Sequence, residues 1–428
     1  MNSVPQPRVS AGTDNDSGIE VEVLPFVRMP IMDRDAQLVA YDICHQAGDG
    51  ATNLAQATLQ LFEQAYLAQL AGDRLAFLAV DEELLREHGD ALRFDERVGP
   101  RVNAKLAASD DAYALLTGMA GRGVPIMVDN LVWPEAPSDV EAERLRELVR
   151  LAQCVSIDVR GHDESSLVRA LACLRAADRD AVVTASYLYE QRTQRVCMNL
   201  GFDAFEGSYL FRPTEEQLVD TLKPNRISML QLLAAIQNPD NGPVELEALI
   251  RNDAVLSYKL LACVNSAYFN LPRELKSLQQ AAIYFGVTRI RNWVYAMALG
   301  DLDDTPPEVL KQALLRARMA ELLNAKMPAD QRELAFTMGL FSLLDTIMGM
   351  PMQRVLADLP VADAVRHALV DGRGPLGATL NRIRVWERVD AADAGNAEGG
   401  DDTEVAEAYL GALEWAEHVY SFAQRSAE

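Results

Sequence analysis

Histidine and cysteine are the side chains most often used for nucleophilic and metal chemistry, and this sequence contains five of each. Only one histidine, His162, is directly followed by an aspartate, Asp163. No other histidine lies near this dipeptide in the sequence, so it is interpreted as a loop pair rather than a pair of metal ligands. The five cysteines are odd in number, widely spaced and without a C-x-x-C pair, which predicts neither disulfides nor a zinc site. They are interpreted as small buried hydrophobic residues of a reducing compartment.

Other reactive patterns are equally sparse. The sequence has no G-x-x-x-x-G-K-[ST] phosphate loop and no G-x-S-x-G nucleophile elbow. Arg289, Arg291 and Trp293 form a small basic and aromatic cluster on a predicted helix after Gly286. Solvated arginines beside a core tryptophan are the ordinary interpretation, and contact of Arg289 and Arg291 with a phosphate or a partner is the functional alternative.

The pattern of apolar and polar residues, which indicates the secondary structure, changes once along the chain. Short apolar runs, bounded by Gly, Pro or Asp, alternate with helical stretches up to about Phe211, which is typical of parallel strands covered by helices. After residue 214 nearly every segment has helical periodicity. The sequence therefore predicts an α/β domain over residues 21–214 and an all-helical domain over 215–428. The predicted strands are 26–32, 38–45, 75–80, 124–128, 154–159, 181–185 and 205–211.

Composition restricts the partners. The chain has 428 residues, 49% of them hydrophobic, and a net charge of −23, which disfavours nucleic acid and anionic membrane surfaces. Residues 1–20 are predicted to be a disordered tail without a signal sequence, and residues 390–407 an acidic loop without Lys or Arg. No apolar run is long enough to span a bilayer, so a cytoplasmic protein is expected.

Several stretches, in the same order, resemble bacterial signalling proteins that join an EAL domain to an HDOD domain. In the first half these stretches are 28–34, 38–43, 76–80, 124–130, 155–160 and 199–207. In the second half they are 250–253, 257–261, 264–267, 277–281 and 339–345. The resemblance implies a TIM-like, EAL-type barrel followed by a helical HDOD domain. About 190 residues are matched in the first half, against about 250 for a typical barrel, so a shortened barrel is expected.

The resemblance also implies where a catalytic site would lie. EAL enzymes hydrolyse cyclic di-GMP with metal ions held by carboxylates and an Asn, helped by a Lys. The glutamate of the EAL motif corresponds to Asp42, the phosphate-binding Arg to Gln46, the paired aspartates to Asp129 and Asn130, and a Gln to Glu206. The remaining positions, for the Asn ligand, the Lys and two late glutamates, are Ala79, Ser156, Ser186 and Tyr189. Most ligands are thus replaced, and Asp42, Gln46, Asp129, Asn130 and Glu206 are predicted to be remnants of the pocket.

The HDOD family, which the helical half resembles, is itself similar to the HD phosphohydrolases. Those enzymes bind their metal ions with a His-Asp pair. The corresponding segment, 341–345, contains no histidine. The expectation is therefore a protein without catalytic residues, bound metal or cofactor. Its expected role is signalling through contacts with other signalling proteins in a cyclic di-GMP or two-component pathway. Binding of cyclic di-GMP without hydrolysis is the alternative, which the loss of an Arg at Gln46 and the negative charge disfavour. A homo-oligomer and an enzyme with unusual residual chemistry are further alternatives, and no residue supports the latter.

Overall fold

The computed structural model describes most of the chain, in two compact units. The described residues are 26–45, 54–63, 66–89, 92–107, 109–131, 138–178, 180–212, 224–238, 240–251, 253–300, 302, 305–357, 359–387 and 402–424. One unit is built on Leu24–Thr214 and the other on Glu215–Val385 with Thr403–Glu428. The predicted tail, the predicted domain boundary and most of the predicted acidic loop lie outside the described residues.

The first unit is a closed barrel of eight strands. Its strands are β1 (Phe26–Asp33), β2 (Leu38–His45), β3 (Ala76–Val80), β4 (Val98–Asn103), β5 (Met127–Asp129), β6 (Cys154–Asp158), β7 (Val182–Ser186) and β8 (Ala204–Glu206). Strand β1 is antiparallel to both β2 and β8, and every other neighbouring pair is parallel. The carboxyl ends of β2 to β8 therefore meet at one end of the barrel, which is called the barrel mouth below.

Helices follow most of the parallel strands. They are α1 (Leu54–Glu63), α2 (Tyr66–Ala71), α3 (Glu82–His88), α4 (Ala104–Ala107), α5 (Asp110–Ala120), α6 (Asp139–Leu151), α7 (Glu164–Ala177) and α8 (Gln191–Leu200). Apolar side chains from several strands, among them Ile31, Phe77 and Met127, are almost fully buried in one cluster. Strands buried on both faces explain the nearly continuous apolar runs of the sequence. Helices α2, α3 and α4 have only six, seven and four residues, so the predicted shortened barrel is confirmed.

Strand β4 is absent from the sequence prediction. It contains Gly99 and Pro100, which are turn signals in an unaligned sequence and are rare inside strands. A Cβ added at Gly99 would lie 1.6 Å from the carbonyl oxygen of Pro125, so only glycine fits between these two segments. The strand therefore requires a glycine at position 99, where two backbone segments approach each other, although a glycine in the sequence indicates a break in a strand.

The last strand is shorter than predicted. Strand β8 ends at Glu206, and a 3-10 helix, Ser208–Phe211, occupies the rest of the predicted range 205–211. Gly207 separates them with φ at +144°, and a Cβ there would lie 2.2 Å from the carbonyl oxygen of Leu188. The chain turns at this glycine, and the apolar residues that follow pack as a helical turn instead of continuing the strand.

All the regular secondary structure described in the second unit is helical, as predicted. Its helices are α9 (Pro224–Gln237), α10 (Pro243–Arg251), α11 (Ala254–Val264), α12 (Leu278–Phe285), α13 (Val287–Leu299), α14 (Pro307–Leu323), α15 (Ala329–Phe341), α16 (Leu344–Met348), α17 (Met352–Ala357), α18 (Asp363–Asp371), α19 (Gly374–Trp386) and α20 (Asp402–Ala423). Helices α13, α14 and α15 each bury more than half of their residues. Gly339 of α15 allows contact with the backbone of α14, because a Cβ there would lie 2.5 Å from the Arg316 carbonyl oxygen.

The predicted acidic loop, 390–407, extends too far. Helix α20 begins at Asp402, inside the predicted loop. Acidic residues are favourable in the first turn of a helix because the amide groups there carry partial positive charge, so the end of the acidic run joins the helix. Among the described residues, none of the helices is both long and apolar enough to cross a membrane.

Candidate functional site: the barrel mouth

Closure of the barrel brings the predicted pocket residues to one end. Asp42 lies in β2, Asp129 ends β5, Asn130 directly follows it, and Glu206 ends β8. Gln46 lies outside the described residues. Strand β1 separates β2 from β8, and its residues Met29 and Ile31 pair with Asp42 and Glu206. Residues separated by more than 160 positions in the sequence therefore face the same space.

An arginine that sequence reasoning missed lies between these carboxylates. The Nη1 atom of Arg101, in β4, donates to the Oδ2 atom of Asp42 in a short ion pair, and its Nε atom is 3.9 Å from Oδ2 of Asp129. The side chain of Arg101 is only 13% exposed and that of Asp42 only 1%. One guanidinium group thus neutralises carboxylates from two different strands.

Local hydrogen bonds hold both aspartates in place. The Sγ atom of Cys44, two residues along β2 and on the same face as Asp42, donates to Asp42 Oδ2 over 3.2 Å. The Oγ atom of Ser156 donates to Asp129 Oδ1 and accepts the backbone N–H of Asn130 at 3.4 Å. Asn130 has a positive φ of 51°, which an asparagine adopts more readily than most residues. Ser156, in the middle of β6, therefore links that strand to the end of β5.

Glu206 is the third acidic residue of the mouth. Its side chain is 3% exposed, and its Oε2 atom accepts the backbone N–H of Tyr187 over 3.2 Å. Burial and, next to it, the negative charge of Asp42 raise the pKa of Glu206 to about 8, although Arg101 opposes the shift. A carboxyl with this pKa is largely protonated at neutral pH, so the mouth is less negative than its sequence indicates.

The other titratable groups show the same effect of burial. Burial raises the pKa of Asp42 above its ordinary value, and the positive charge of Arg101 opposes this shift. Burial and the neighbouring Asp42 raise the pKa of the Cys44 thiol well above its usual range. Burial alone would lower the pKa of Arg101, but the carboxylates of Asp42 and Asp129 raise it, so the guanidinium stays charged.

A second arginine lies at the edge of this site. The guanidinium carbon of Arg160 is 3.8 Å from the centre of the Tyr187 ring, and Nη2 pairs with Asp158 Oδ2 over 2.8 Å. The side chain of Arg160 is 43% exposed. Its charge is therefore shared between an aromatic face and a carboxylate at the end of β6.

The residues of the mouth do not fit a pair of divalent cations. Each such cation needs about six oxygen ligands. Both aspartates are already paired with Arg101, and the positions matching further ligands, Ala79, Ser156 and Ser186, supply no carboxylate. Across the part of the chain that the structure describes, no group of three or more His, Cys, Asp or Glu side chains is placed to hold a metal ion.

The helical unit has a related arrangement at the segment matching the HD pair. The Nη1 atom of Arg316 donates to Ser342 Oγ over 3.2 Å. The carboxylate of Asp345 accepts the backbone N–H of its neighbour Thr346 at 2.8 Å. Burial raises the pKa of Asp345, and the charges of Arg384 and Arg316 oppose the shift. The segment that matches the His-Asp pair thus contains Ser342 and Asp345, and Arg316 contacts it.

The predicted partner-contact residues are engaged within the chain. Arg289 pairs with Glu321 at 2.7 Å and with Glu333 at 3.3 Å. Arg291 is 9% exposed and donates to the carbonyl oxygens of Asn238 and Asn241. Trp293 is buried, as expected, but the interpretation of the arginines as solvated is wrong for Arg291, which is buried against backbone carbonyl groups. Contact of these arginines with a partner stays a prediction.

Comparison with known proteins supports the two-part organisation. Residues 224–357 match the family model of the HDOD domain, so the helical unit contains an HDOD domain, as predicted. A Bacillus subtilis (strain 168) protein, YuxH, is 22% identical over 92% of this chain and 98% of its own length. The cyclic di-GMP phosphodiesterase CdgJ of Vibrio cholerae is 25% identical over 85% of this chain and 84% of its own.

Solved structures of EAL proteins are similar to the first half. The EAL domain of Pseudomonas aeruginosa FimX bound to c-di-GMP covers 44% of this chain and 89% of its own, at 17% identity and a TM-score of 0.33. Klebsiella pneumoniae BlrP1, in a complex with calcium and cyclic di-GMP, covers 45% of this chain and 57% of its own, at 15% identity and a TM-score of 0.35. The predicted fold class, a barrel followed by a helical region with an HDOD domain, is confirmed by the closed barrel and the HDOD match together.

Proposed function

We propose that this chain is a signalling protein of a cyclic di-GMP or two-component pathway that acts through protein contacts and does not hydrolyse cyclic di-GMP. The HDOD domain and the similarity, over 85% of this chain, to a phosphodiesterase of cyclic di-GMP support the pathway. The similarity is 25%, which is low enough for a shared architecture to have lost or changed its activity.

The position of Arg101 is the observation that supports the proposed absence of hydrolysis. A two-metal phosphodiesterase needs carboxylates that are free to bind cations and activate water. Here a fixed cation already neutralises Asp42 and Asp129. Ser156, at the position of the family's lysine, donates to Asp129 and has no charge with which to assist a water molecule. The residues of the mouth therefore hold each other in place instead of presenting ligands.

Charge supports proteins as partners. A chain with a net charge of −23 repels polyanions, which makes nucleic acids and anionic lipids poor partners. Protein surfaces vary in charge and can supply basic patches that complement an acidic protein. With catalysis lost, recognition of another signalling protein is the function that the fold and charge favour.

The test is an assay of the purified full-length chain with cyclic di-GMP and either Mg²⁺ or Mn²⁺. Products are separated by liquid chromatography, with an active EAL phosphodiesterase as the positive control. We expect no linear dinucleotide above the level of a protein-free reaction. Turnover that depends on the protein and the metal would contradict the proposal.

A calorimetric titration of the same preparation with cyclic di-GMP tests the alternative. We expect no binding, because Arg101 and Arg160 already pair with carboxylates and do not present their charges to a phosphate. Saturable binding at micromolar ligand without turnover would replace protein contact by ligand sensing as the function of the barrel.

A further inference from the structure

Tyr187 has an unusual backbone conformation at the barrel mouth. It directly follows β7, and its φ is +62°, in the left-handed region that few residues other than glycine and asparagine adopt. A tyrosine in this conformation is strained, because its Cβ atom comes too close to the carbonyl oxygen that follows it. Such residues persist only where the surrounding structure fixes them, and they are concentrated at functional sites.

Hydrogen bonds on both sides of Tyr187 fix this conformation. The backbone N–H of Tyr187 donates to Glu206 Oε2 over 3.2 Å, and the N–H of Leu188 donates to the Glu206 carbonyl oxygen over 3.0 Å. Leu188 is fully buried, and its own carbonyl oxygen accepts the N–H of Tyr209 over 3.0 Å. The backbone next to Tyr187 is therefore anchored to β8 and to the 3-10 helix that follows it.

The side chain of Tyr187 reaches across the mouth from this anchored turn. One face of its ring stacks on the guanidinium of Arg160, whose central carbon lies 3.8 Å from the ring centre. Burial raises the pKa of the Tyr187 hydroxyl above its usual range, and the charges of Arg101 and Asp129 also act on this group. The ring thus extends from the exposed Arg160 to the buried ion pairs of Arg101.

We propose that Tyr187 is a plug that closes the barrel mouth, and that it must swing outwards before any molecule can reach the buried ion pairs of Arg101. The strain raises the energy of the closed state, and rotation of φ to a negative value would relieve it and move the ring. The stack on Arg160 opposes this movement. The mouth is thus closed by the chain's own side chain, and opening it is a step separate from binding.

Cys44 reports whether the mouth is closed. Its thiol is buried and lies 4.0 Å from Arg101 Nη1. The native full-length chain is treated with N-ethylmaleimide, and the rate at each cysteine is measured by mass spectrometry of its peptides. The wild type is compared with Tyr187→Gly, which removes the ring and adopts a positive φ without strain. We expect Cys44 to react at least about tenfold faster in this variant, because a thiol that regains water forms thiolate more readily.

Three controls separate opening of the mouth from a general loosening of the barrel. Cys154 is buried against Thr184, with 3.0 Å between Sγ and Oγ1, and should stay unreactive in every variant. Tyr187→Phe keeps the ring and should protect Cys44 as the wild type does. Arg160→Met removes only the stack and should raise the labelling rate of Cys44 by less than Tyr187→Gly.

The strain has a test of its own in Tyr187→Ala. This variant loses the ring but keeps a Cβ atom at positive φ, so Cys44 should be as reactive as in Tyr187→Gly. Its midpoint of thermal unfolding should nevertheless be lower, because only glycine removes the strain. An alanine variant that unfolds at the same temperature as the glycine variant, or above it, would contradict the strained plug.

Unchanged labelling of Cys44 in a folded Tyr187→Gly protein would overturn the inference, and so would equal labelling of Cys44 and Cys154. Should Tyr187→Gly fail to fold, Arg160→Met must by itself speed the labelling of Cys44, and a wild-type rate there would also contradict the plug. Failure of the proposed function is distinguishable, since that requires hydrolysis of cyclic di-GMP by the wild type, whereas the labelling needs no nucleotide.

Discussion

Glu206 shows how strongly one buried side chain is controlled by its surroundings. It is nearly inaccessible, accepts a backbone N–H, and has Asp42 as a neighbouring negative charge. Its pKa of about 8 lies far above 4.5, the value expected in an unfolded chain. The folded state therefore binds a proton that the unfolded state releases above pH 4.5.

This difference predicts a pH dependence of stability. The stabilising effect of protonated Glu206 is complete below pH 4.5 and is lost as the pH rises towards about 8. Glu206→Gln, which mimics the neutral carboxyl, should therefore lose less stability than the wild type over this interval, by a difference on the order of a few kcal/mol. Urea unfolding at a series of pH values measures it.

The matched control is Glu143→Gln, which changes an exposed carboxylate on α6. Its pH profile should follow that of the wild type. Parallel profiles for the wild type and Glu206→Gln between pH 4.5 and 8 would show that Glu206 is ionised in the folded protein.

The cysteines provide a second prediction for individual residues. Cys44, Cys154, Cys197 and Cys263 are buried, and Cys173 is partly exposed. Burial raises the pKa of Cys154 to about 12 and that of Cys197 to about 11, which lowers the fraction of reactive thiolate. A thiol reagent should label at most Cys173 rapidly in the native protein and all five cysteines after denaturation. Cys173→Ser should abolish the rapid phase, and a second rapid thiol in that variant would contradict the prediction.

Strand β4 is the element on which the mouth depends. It places Arg101 opposite Ala79 of β3 and Met127 of β5, and it can do so only because Gly99 lets the backbone approach Pro125. A methyl group at position 99 would overlap the Pro125 carbonyl oxygen, so one of the two segments would have to move.

Gly99→Ala should therefore destabilise the barrel by at least about 2 kcal/mol, measured by chemical unfolding. Gly118 is the matched control, because it is exposed on α5 and a Cβ there meets no atom within 4 Å. Gly118→Ala should be neutral or stabilising by up to about 1 kcal/mol, since alanine favours helix. Equal stability of the two variants would show that β4 tolerates a side chain at position 99.

Net charge is the property of the whole molecule that follows most directly from the sequence. With 40 basic and 63 acidic residues, the chain should have no measurable affinity for duplex DNA or for vesicles of anionic lipid at physiological salt. Fluorescence anisotropy with labelled DNA and vesicle co-sedimentation measure this. Binding that weakens as salt is added would reveal a basic surface that the total charge hides.

Much of the architecture could be predicted from the sequence by itself. Apolar runs bounded by turn residues predicted seven of the eight strands, and β2 was predicted with its observed limits, Leu38–His45. The change of periodicity predicted a helical second half, which contains the HDOD domain over 224–357. These features are local, because burial on a strand or helix leaves a repeating pattern in neighbouring residues.

Only the tertiary structure decided what the barrel mouth contains. The sequence predicted Asp42, Asp129 and Glu206 as pocket residues but gave no sign that Arg101 joins them. The strand of Arg101, β4, was not predicted because Gly99 and Pro100 are turn signals in the sequence. A glycine is needed at position 99 because the backbone there approaches Pro125, which precedes β5. Ion pairs between distant strands arise when the barrel closes, and closure leaves no periodic pattern in the sequence. The physical reason is that charge pairing depends on distances in space, which the order of residues does not contain.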